Sequence, residues 1–266
     1  MSGPTSAELH AEAWARTYEL IDLQLAPLGL RAIDMLCPKA GDRVLDVGCG
    51  AGQTLLQLAE RVGSAGRVIG VDVAPRLLKI ADKRVRGYGQ IALIEADAQT
   101  LDLPPAGLDA VYSRFGVMGF ADPAAAFANF HRMLKPGGRL AFCCWRALAE
   151  NELDRFPLEA AGLQEATDST PFSFAEPAHI RQTLETAGFV DVAIDPYDAP
   201  VSCGDIDATM AVLLSVGALS KIVRENPEQR DAVAPHLRDA LTARDDTKAM
   251  HLNAAVWIVT ATALPT

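Results

Sequence analysis

The chain has 266 residues, half of them hydrophobic and 22% charged, with a formal net charge of −10. This length can bury a full α/β core, and the composition is far from that of disordered chains. An acidic field repels phosphate backbones, so nucleic-acid readers, which present basic patches, are disfavoured and small-molecule partners are expected.

Five cysteines, Cys37, Cys49, Cys143, Cys144 and Cys203, show no CxxC spacing. Their odd number suits free thiols in a reducing compartment and argues against a zinc or other metal site. The N-terminus has no basic cluster followed by an apolar run, and no segment reaches bilayer length. The expectation is a cytoplasmic protein without a membrane partner.

In chain order, Ala7 to Leu25 reads as an amphipathic helix with Trp14, Tyr18, Ile21 and Leu25 on one stripe, interrupted at Pro27 and Gly29, with a second short helix to Leu36. From Arg43 the pattern alternates. Strand candidates are Arg43 to Val47, Val68 to Val71, Ile91 to Glu95, Leu108 to Tyr112 and Gly138 to Trp145. Between them lie helical stretches at Thr54 to Val62, Pro75 to Val85 and Pro123 to Leu134, with proline in the first turn of the last two. Strand and helix in alternation imply a doubly wound, mostly parallel sheet covered on both faces.

After Trp145 come a helix near Asn151 to Gly162, a loop through Thr170 to Phe174 that reads as a lid, a helix Pro177 to Ala187 and a strand Phe189 to Ile194. Asp205 to Asp245 reads as two or three helices broken at Asn226-Pro227, and a strand Ala254 to Ala261 follows. The expected organisation is an N-terminal helical cover over 1–40, an α/β domain over 41–200 and 250–266, and a helical lid insertion over 201–249.

The sharpest signal is Val44-Leu45-Asp46-Val47-Gly48-Cys49-Gly50-Ala51-Gly52, a strand running into a glycine-rich turn and a helix start. Glycine admits positive φ and close approach of a ligand, and the helix start offers unpaired N–H groups. A dinucleotide fingerprint needs its third glycine at position 53, which is Gln53; here the third glycine is Gly52. Asp46 also suits a positively charged ligand better than a pyrophosphate.

This segment resembles the first motif of class I methyltransferases dependent on S-adenosyl-L-methionine, and further segments resemble that family in order from Arg43 to Trp145. The resemblance implies that Asp72, beside Val73, holds the ribose hydroxyls of the cofactor, and that Asp97 and Ala98 read its adenine. It also implies that Tyr112-Ser113-Arg114-Phe115-Gly116 lies beside the transferable methyl. Leu134-Lys135-Pro136-Gly137-Gly138 resembles the turn before the fifth strand. The family implies seven strands with the last antiparallel, and S-adenosyl-L-homocysteine as product.

The cofactor residues expected on this basis are Tyr18, Asp46, Gly48, Gly50, Gly52, Asp72, Val73, Asp97, Ala98 and Ser113. Phe115, Gly116 and Trp145, with the loop near Phe172 to Phe174, are expected to touch the methyl acceptor, and Arg114 to lie in the catalytic region. Several have a plainer alternative: Gly48 as helix–sheet packing, Asp72 as a helix cap, Asp97 as a turn residue, Tyr18 and Trp14 as core packing, Arg114 as a salt-bridge partner. His131 is expected to face solvent, and His10 and His251 are the better candidates for reaching a substrate, because helical covers lie there. Cys143 and Cys144, adjacent on a strand, point to opposite faces and read as core.

The implied reaction is in-line transfer of a methyl group to an O, N, C or S nucleophile of a small molecule, driven mainly by positioning. The alternatives are methylation of RNA or protein, a nucleotide-dependent oxidoreductase, a noncatalytic ligand sensor and, raised only by the cysteine count, arsenic methylation. A homodimer is left open.

Overall fold

The computed structural model describes residues 6–163, 170–244 and 249–264. The expected helix end at Asp245 and the outermost residues of the expected first and last segments lie outside the described residues. A seven-stranded sheet runs in the order β3-β2-β1-β4-β5-β7-β6. Its strands are β1 (Arg43–Val47), β2 (Arg67–Asp72), β3 (Ile91–Glu95), β4 (Leu108–Arg114), β5 (Leu134–Trp145), β6 (Phe189–Val201) and β7 (Leu252–Ala263). From β3 to β5 all pairings are parallel, and β7 lies antiparallel to β5, with Arg139 opposite Thr262 and Trp145 opposite Val256. The doubly wound sheet and its antiparallel strand are as the sequence implies.

The helices are α1 (Ser6–Leu36), α2 (Gln53–Val62), α3 (Pro75–Arg84), α4 (Pro123–Met133), α5 (Glu152–Ala160), α6 (Pro177–Thr186), α7 (Ile206–Leu213), α8 (Ala218–Glu225) and α9 (Pro227–Thr242). Local chemistry fixes several of their starts. Asp122 caps α4 by accepting from the Ala125 N–H, and Asp205 caps α7 through the Ala208 N–H. Proline in the first turn of α3, α4 and α6 supplies a φ already suited to the helix.

The expected break at Pro27 and Gly29 is corrected. The helix continues with Pro27 inside it. Proline removes one i→i−4 hydrogen bond, but Leu28, Ala32, Ile33 and Leu36 beyond it are all buried, and that packing outweighs the local penalty.

The chain divides into two compact units. The larger comprises Leu28–Arg146, Thr170–Tyr197 and Val256–Thr266; the smaller comprises Met1–Pro27, Ala147–Ser169 and Asp198–Ala255. The core of the larger unit contains Phe127, Phe130, Phe142, Phe174 and Phe189 among aliphatic residues of β1, β2, β4 and β5. Phe127 meets Phe130 edge to face at 5.6 Å, and each such ring contributes about 1.5–3 kcal/mol by leaving water.

Two further expectations change here. Phe174, taken for part of an acceptor-lining loop, is only 1% exposed and packs against Phe127 and Phe142. His131 is half-buried, its ring edge-on to Phe189 at 5.3 Å, because Gly188 leaves no Cβ to hold it off.

In the smaller unit, buried Asn151 accepts from the Ala255 N–H at 2.7 Å, and Asp154 accepts from the Ala218 N–H at the start of α8. Among the described residues no single helix is long and apolar enough to cross a membrane. The bent pair α7 and α8 has the required length and hydropathy together, and Met210, Leu213 and Leu219 within it are buried.

Candidate active site

In the larger unit the sheet order reverses between β1 and β4, and the carboxyl ends of strands flanking such a reversal are where open α/β sheets bind ligands. The turn after β1 follows from its glycines. Gly48, Gly50 and Gly52 have φ of 70°, 53° and 86°, which lets the chain double back before α2 begins at Gln53. The turn is pinned to the sheet because the N–H groups of Gly48 and Cys49 both donate to the Val71 carbonyl, at 2.9 and 3.1 Å.

Close approach explains Gly116. A Cβ there would stand 2.4 Å from the Val47 carbonyl oxygen and 3.0 Å from the Gly48 α-carbon. Ser113 lies beneath this contact, fully buried, its hydroxyl donating to the Val47 carbonyl at 2.8 Å and accepting from the Gly116 N–H at 3.0 Å. The Ser113 hydroxyl thus locks the end of β4 to the end of β1.

Asp46 is wholly buried. Its Oδ2 accepts from the Thr54 hydroxyl at 2.5 Å, and its Oδ1 has no hydrogen-bond partner among the described residues. Burial pushes its pKa up to about 7, opposed by the Thr54 hydrogen bond and by the charge of Arg114, and reinforced by Asp72. A buried carboxylate oxygen without a donor is an anionic acceptor facing a demand for positive charge.

Asp72 ends β2. Its Oδ2 accepts from the Gly50 N–H and its Oδ1 from the Ala74 N–H, both at 2.8 Å. Each oxygen keeps a lone pair for an external hydroxyl, so the capping and ribose-holding roles are compatible. Burial raises its pKa, and the backbone N–H groups of Ala74, Gly50 and Val73 offset part of that. Val73, next along, is 68% exposed.

Asp97 closes a turn after β3 by accepting from the Gln99 N–H at 2.8 Å, and Ala98 is buried behind it. Arg114 donates to the Gln53 side-chain carbonyl at 2.5 Å. Phe115 and Trp145 stack with centroids 4.1 Å apart and planes 18° from parallel. Asp46, Asp72, Ser113, Arg114, Phe115 and Gly116 are thereby gathered at the ends of β1, β2 and β4, with Trp145 at the end of β5. Tyr18 belongs to the smaller unit, where its hydroxyl donates to Glu19 at 3.0 Å. His10 and His251 are exposed residues of that unit.

The sequence reading passed over Thr54, Gln53 and Gly29. Thr54 holds Asp46, Gln53 holds Arg114, and Gly29 admits the Tyr112 hydroxyl to the α1 backbone. One weak signal existed: a hydroxyl in the first turn of a helix that follows a buried strand aspartate lies within reach of it.

Positive-φ glycines, a carboxylate at the end of β2 and an unpartnered buried carboxylate oxygen define a nucleoside-binding α/β domain suited to a cationic ligand. These features fit S-adenosyl-L-methionine, whose sulfonium and ammonium bear the positive charge. Residues 44–138 match a family model described as a methyltransferase domain. A demethylmenaquinone methyltransferase of Geobacillus kaustophilus is 31% identical over 176 residues, 59% of this chain and 74% of that protein. Aklanonic acid methyltransferase DauC of a Streptomyces strain is 39% identical over 129 residues, 47% of this chain, and the match spans 59% of that relative's length. A phosphoethanolamine N-methyltransferase from Haemonchus contortus, solved with S-adenosylhomocysteine, shares the fold with TM-score 0.55 at 20% identity, over 90% of this chain and 53% of that one. The chain belongs to the class I S-adenosylmethionine-dependent methyltransferases.

Proposed function

We propose that the protein methylates a small molecule by in-line displacement at the carbon bound to sulfur. The observation that carries this is the buried Asp46 oxygen without a donor, set under a turn of positive-φ glycines. The cofactor, when bound, supplies an activated methyl group on a sulfonium leaving group.

The chain's own residues supply position and charge. Asp46 attracts the cationic end of the cofactor, Asp72 accepts from its ribose hydroxyls, and the turn from Gly48 to Gly52 leaves room for its backbone-close contacts. Asp97 and Ala98 flank the adenine, with Val73 against the nucleoside. Ser113 acts from beneath, keeping β4 registered on β1. Arg114, held by Gln53, orients the reactants, and Phe115, Gly116 and Trp145 face the acceptor. Holding two reactants in attack geometry supplies roughly 7–11 kcal/mol of the barrier, so the reaction leans on placement more than on a strong base.

The acidic net charge supports a small acceptor over a nucleic acid, and free cysteines support a reducing, cytoplasmic setting. The known acceptors of the relatives, aklanonic acid and demethylmenaquinone by their names, are small molecules, which supports the same reading. The test is calorimetric titration with S-adenosylhomocysteine, with NADH as control, on wild type and Asp72→Ala. Tight binding lost in the variant supports the assignment; no binding by wild type, or preference for NADH, sinks it.

A further inference from the structure

Resting on the methyltransferase reading, the ends of β4 and β5 carry an inference about the chemical class of the acceptor. Phe115 has φ 62°, in the left-handed region that a bulky residue adopts only under constraint. Two contacts impose it. The Phe115 N–H donates to the Cys143 carbonyl at 3.1 Å, and the next residue, Gly116, is pressed against Val47 and Gly48. A glycine at 115 would satisfy the same backbone without strain, so what the position gains from phenylalanine is its ring.

That ring lies nearly flat on Trp145, and both residues are half-buried, whereas the core aromatics Phe127, Phe130 and Phe142 are sealed from water. Rings that meet face to face expose edges and outer faces to a third flat partner. A cage for an ammonium group instead needs faces turned toward one point. Positive charge is also close in the chain on both sides, with Arg114 before Phe115 and Arg146 after Trp145. The Arg146 guanidinium lies 4.9 Å from the Trp257 ring centroid, and the Trp257 indole is fixed by donating to the Ala175 carbonyl at 2.8 Å. A flat conjugated ring is the partner that the outer faces of such a pair accept.

We infer that Phe115 and Trp145 form a stacking wall for a planar hydroxylated aromatic acceptor. In the reaction the acceptor oxygen donates an electron pair to form the new O–C bond. The C–S bond breaks with its pair returning to sulfur, and the phenolic proton is released to solvent.

The experiment titrates the complex with S-adenosylhomocysteine against three planar phenols, 1-naphthol, 1,2-dihydroxyanthraquinone and 1,4-dihydroxynaphthalene, with 1-adamantanol as an apolar, non-planar alcohol. Wild type, Trp145→Phe, Trp145→Leu and Phe115→Leu are compared. The expected result is binding of at least one phenol in preference to adamantanol, weakened about tenfold or more by either leucine and only slightly by Trp145→Phe. Binding of none of the phenols, equal binding of adamantanol, or leucine variants that bind like wild type would overturn it. Binding of S-adenosylhomocysteine and the melting temperature are measured for every protein: a variant that loses either is replaced by the other leucine variant. Loss in wild type itself refutes the methyltransferase reading and not the stacking wall.

Discussion

The Tyr112 hydroxyl, fully buried near the end of β4, donates a 3.0 Å hydrogen bond to the Gly29 carbonyl inside α1. The contact needs Gly29, since a Cβ there would stand 3.0 Å from that hydroxyl and 2.7 Å from the Arg114 side chain. A residue that weakens a helix in isolation therefore lets α1 lie close against β4.

The first prediction is a double-mutant cycle on this pair. Tyr112→Phe should lower stability by about 0.5–1.5 kcal/mol through the lost hydrogen bond. Gly29→Ala should also destabilise, its gain in helix propensity outweighed by the clash. The double variant should lose less than the two effects added together, because removing the hydroxyl relieves part of the clash. Chemical denaturation of the four proteins measures this, and strict additivity would contradict the contact.

A second prediction concerns Asp46. Its folded pKa, raised to about 7 from 3.8, means that the folded protein favours the protonated acid. The sign follows: its contribution to stability is fully present below pH 3.8 and is lost as pH rises through about 7. At about 1.4 kcal/mol per pH unit the loss approaches about 4 kcal/mol. Asp46→Asn, which still accepts from Thr54, should therefore melt above wild type at pH 8, with the gap narrowing toward pH 5. The same variant should bind S-adenosylhomocysteine more weakly, and wild-type affinity should rise between pH 6 and 8 as the carboxylate ionises. Melting curves that move together across pH would remove this account of Asp46.

Gly116→Ala should be severe for its size. The added carbon would meet the Val47 carbonyl, the Ser113 hydroxyl and the Gly48 backbone, none of which is the far end of a flexible chain. The expected cost is about 1–3 kcal/mol, together with loss of S-adenosylhomocysteine binding, because relief requires moving the glycine turn. A variant with wild-type melting and binding would show that the turn is looser than described.

The cysteines make a fourth prediction. Cys37 is exposed, whereas Cys49, Cys143, Cys144 and Cys203 are buried. Burial pushes Cys143 up to about 12 and raises the other three buried thiols as well. Since the thiolate is the reactive form, native protein should release one equivalent rapidly from a disulfide reagent, and denatured protein five. More than one fast equivalent before unfolding would show that the core opens.

Local signals made much of the site legible. Glycine spacing, alternating apolar strands and aspartates at the ends of β1 and β2 are encoded within a few residues of one another, and the backbone has few ways to obey them. His131 and Phe174 were misread because each faces a partner distant in the chain, Phe189 for one and Phe127 with Phe142 for the other. Thr54 and Gln53 were passed over because their roles exist only once α2 docks against β1 and β4.

By itself the sequence determined the order of strands and helices and the glycine turn after β1, because these follow from short-range propensity, period and spacing, and the resemblance of its motifs to a known family implied the cofactor. Only the tertiary structure decided that α1 runs through Pro27, that an Asp46 oxygen is buried without a donor, and that Phe115 is strained onto Trp145. Those outcomes depend on burial and on contacts between segments far apart in the chain, and such free energies exceed the local preferences that a sequence displays.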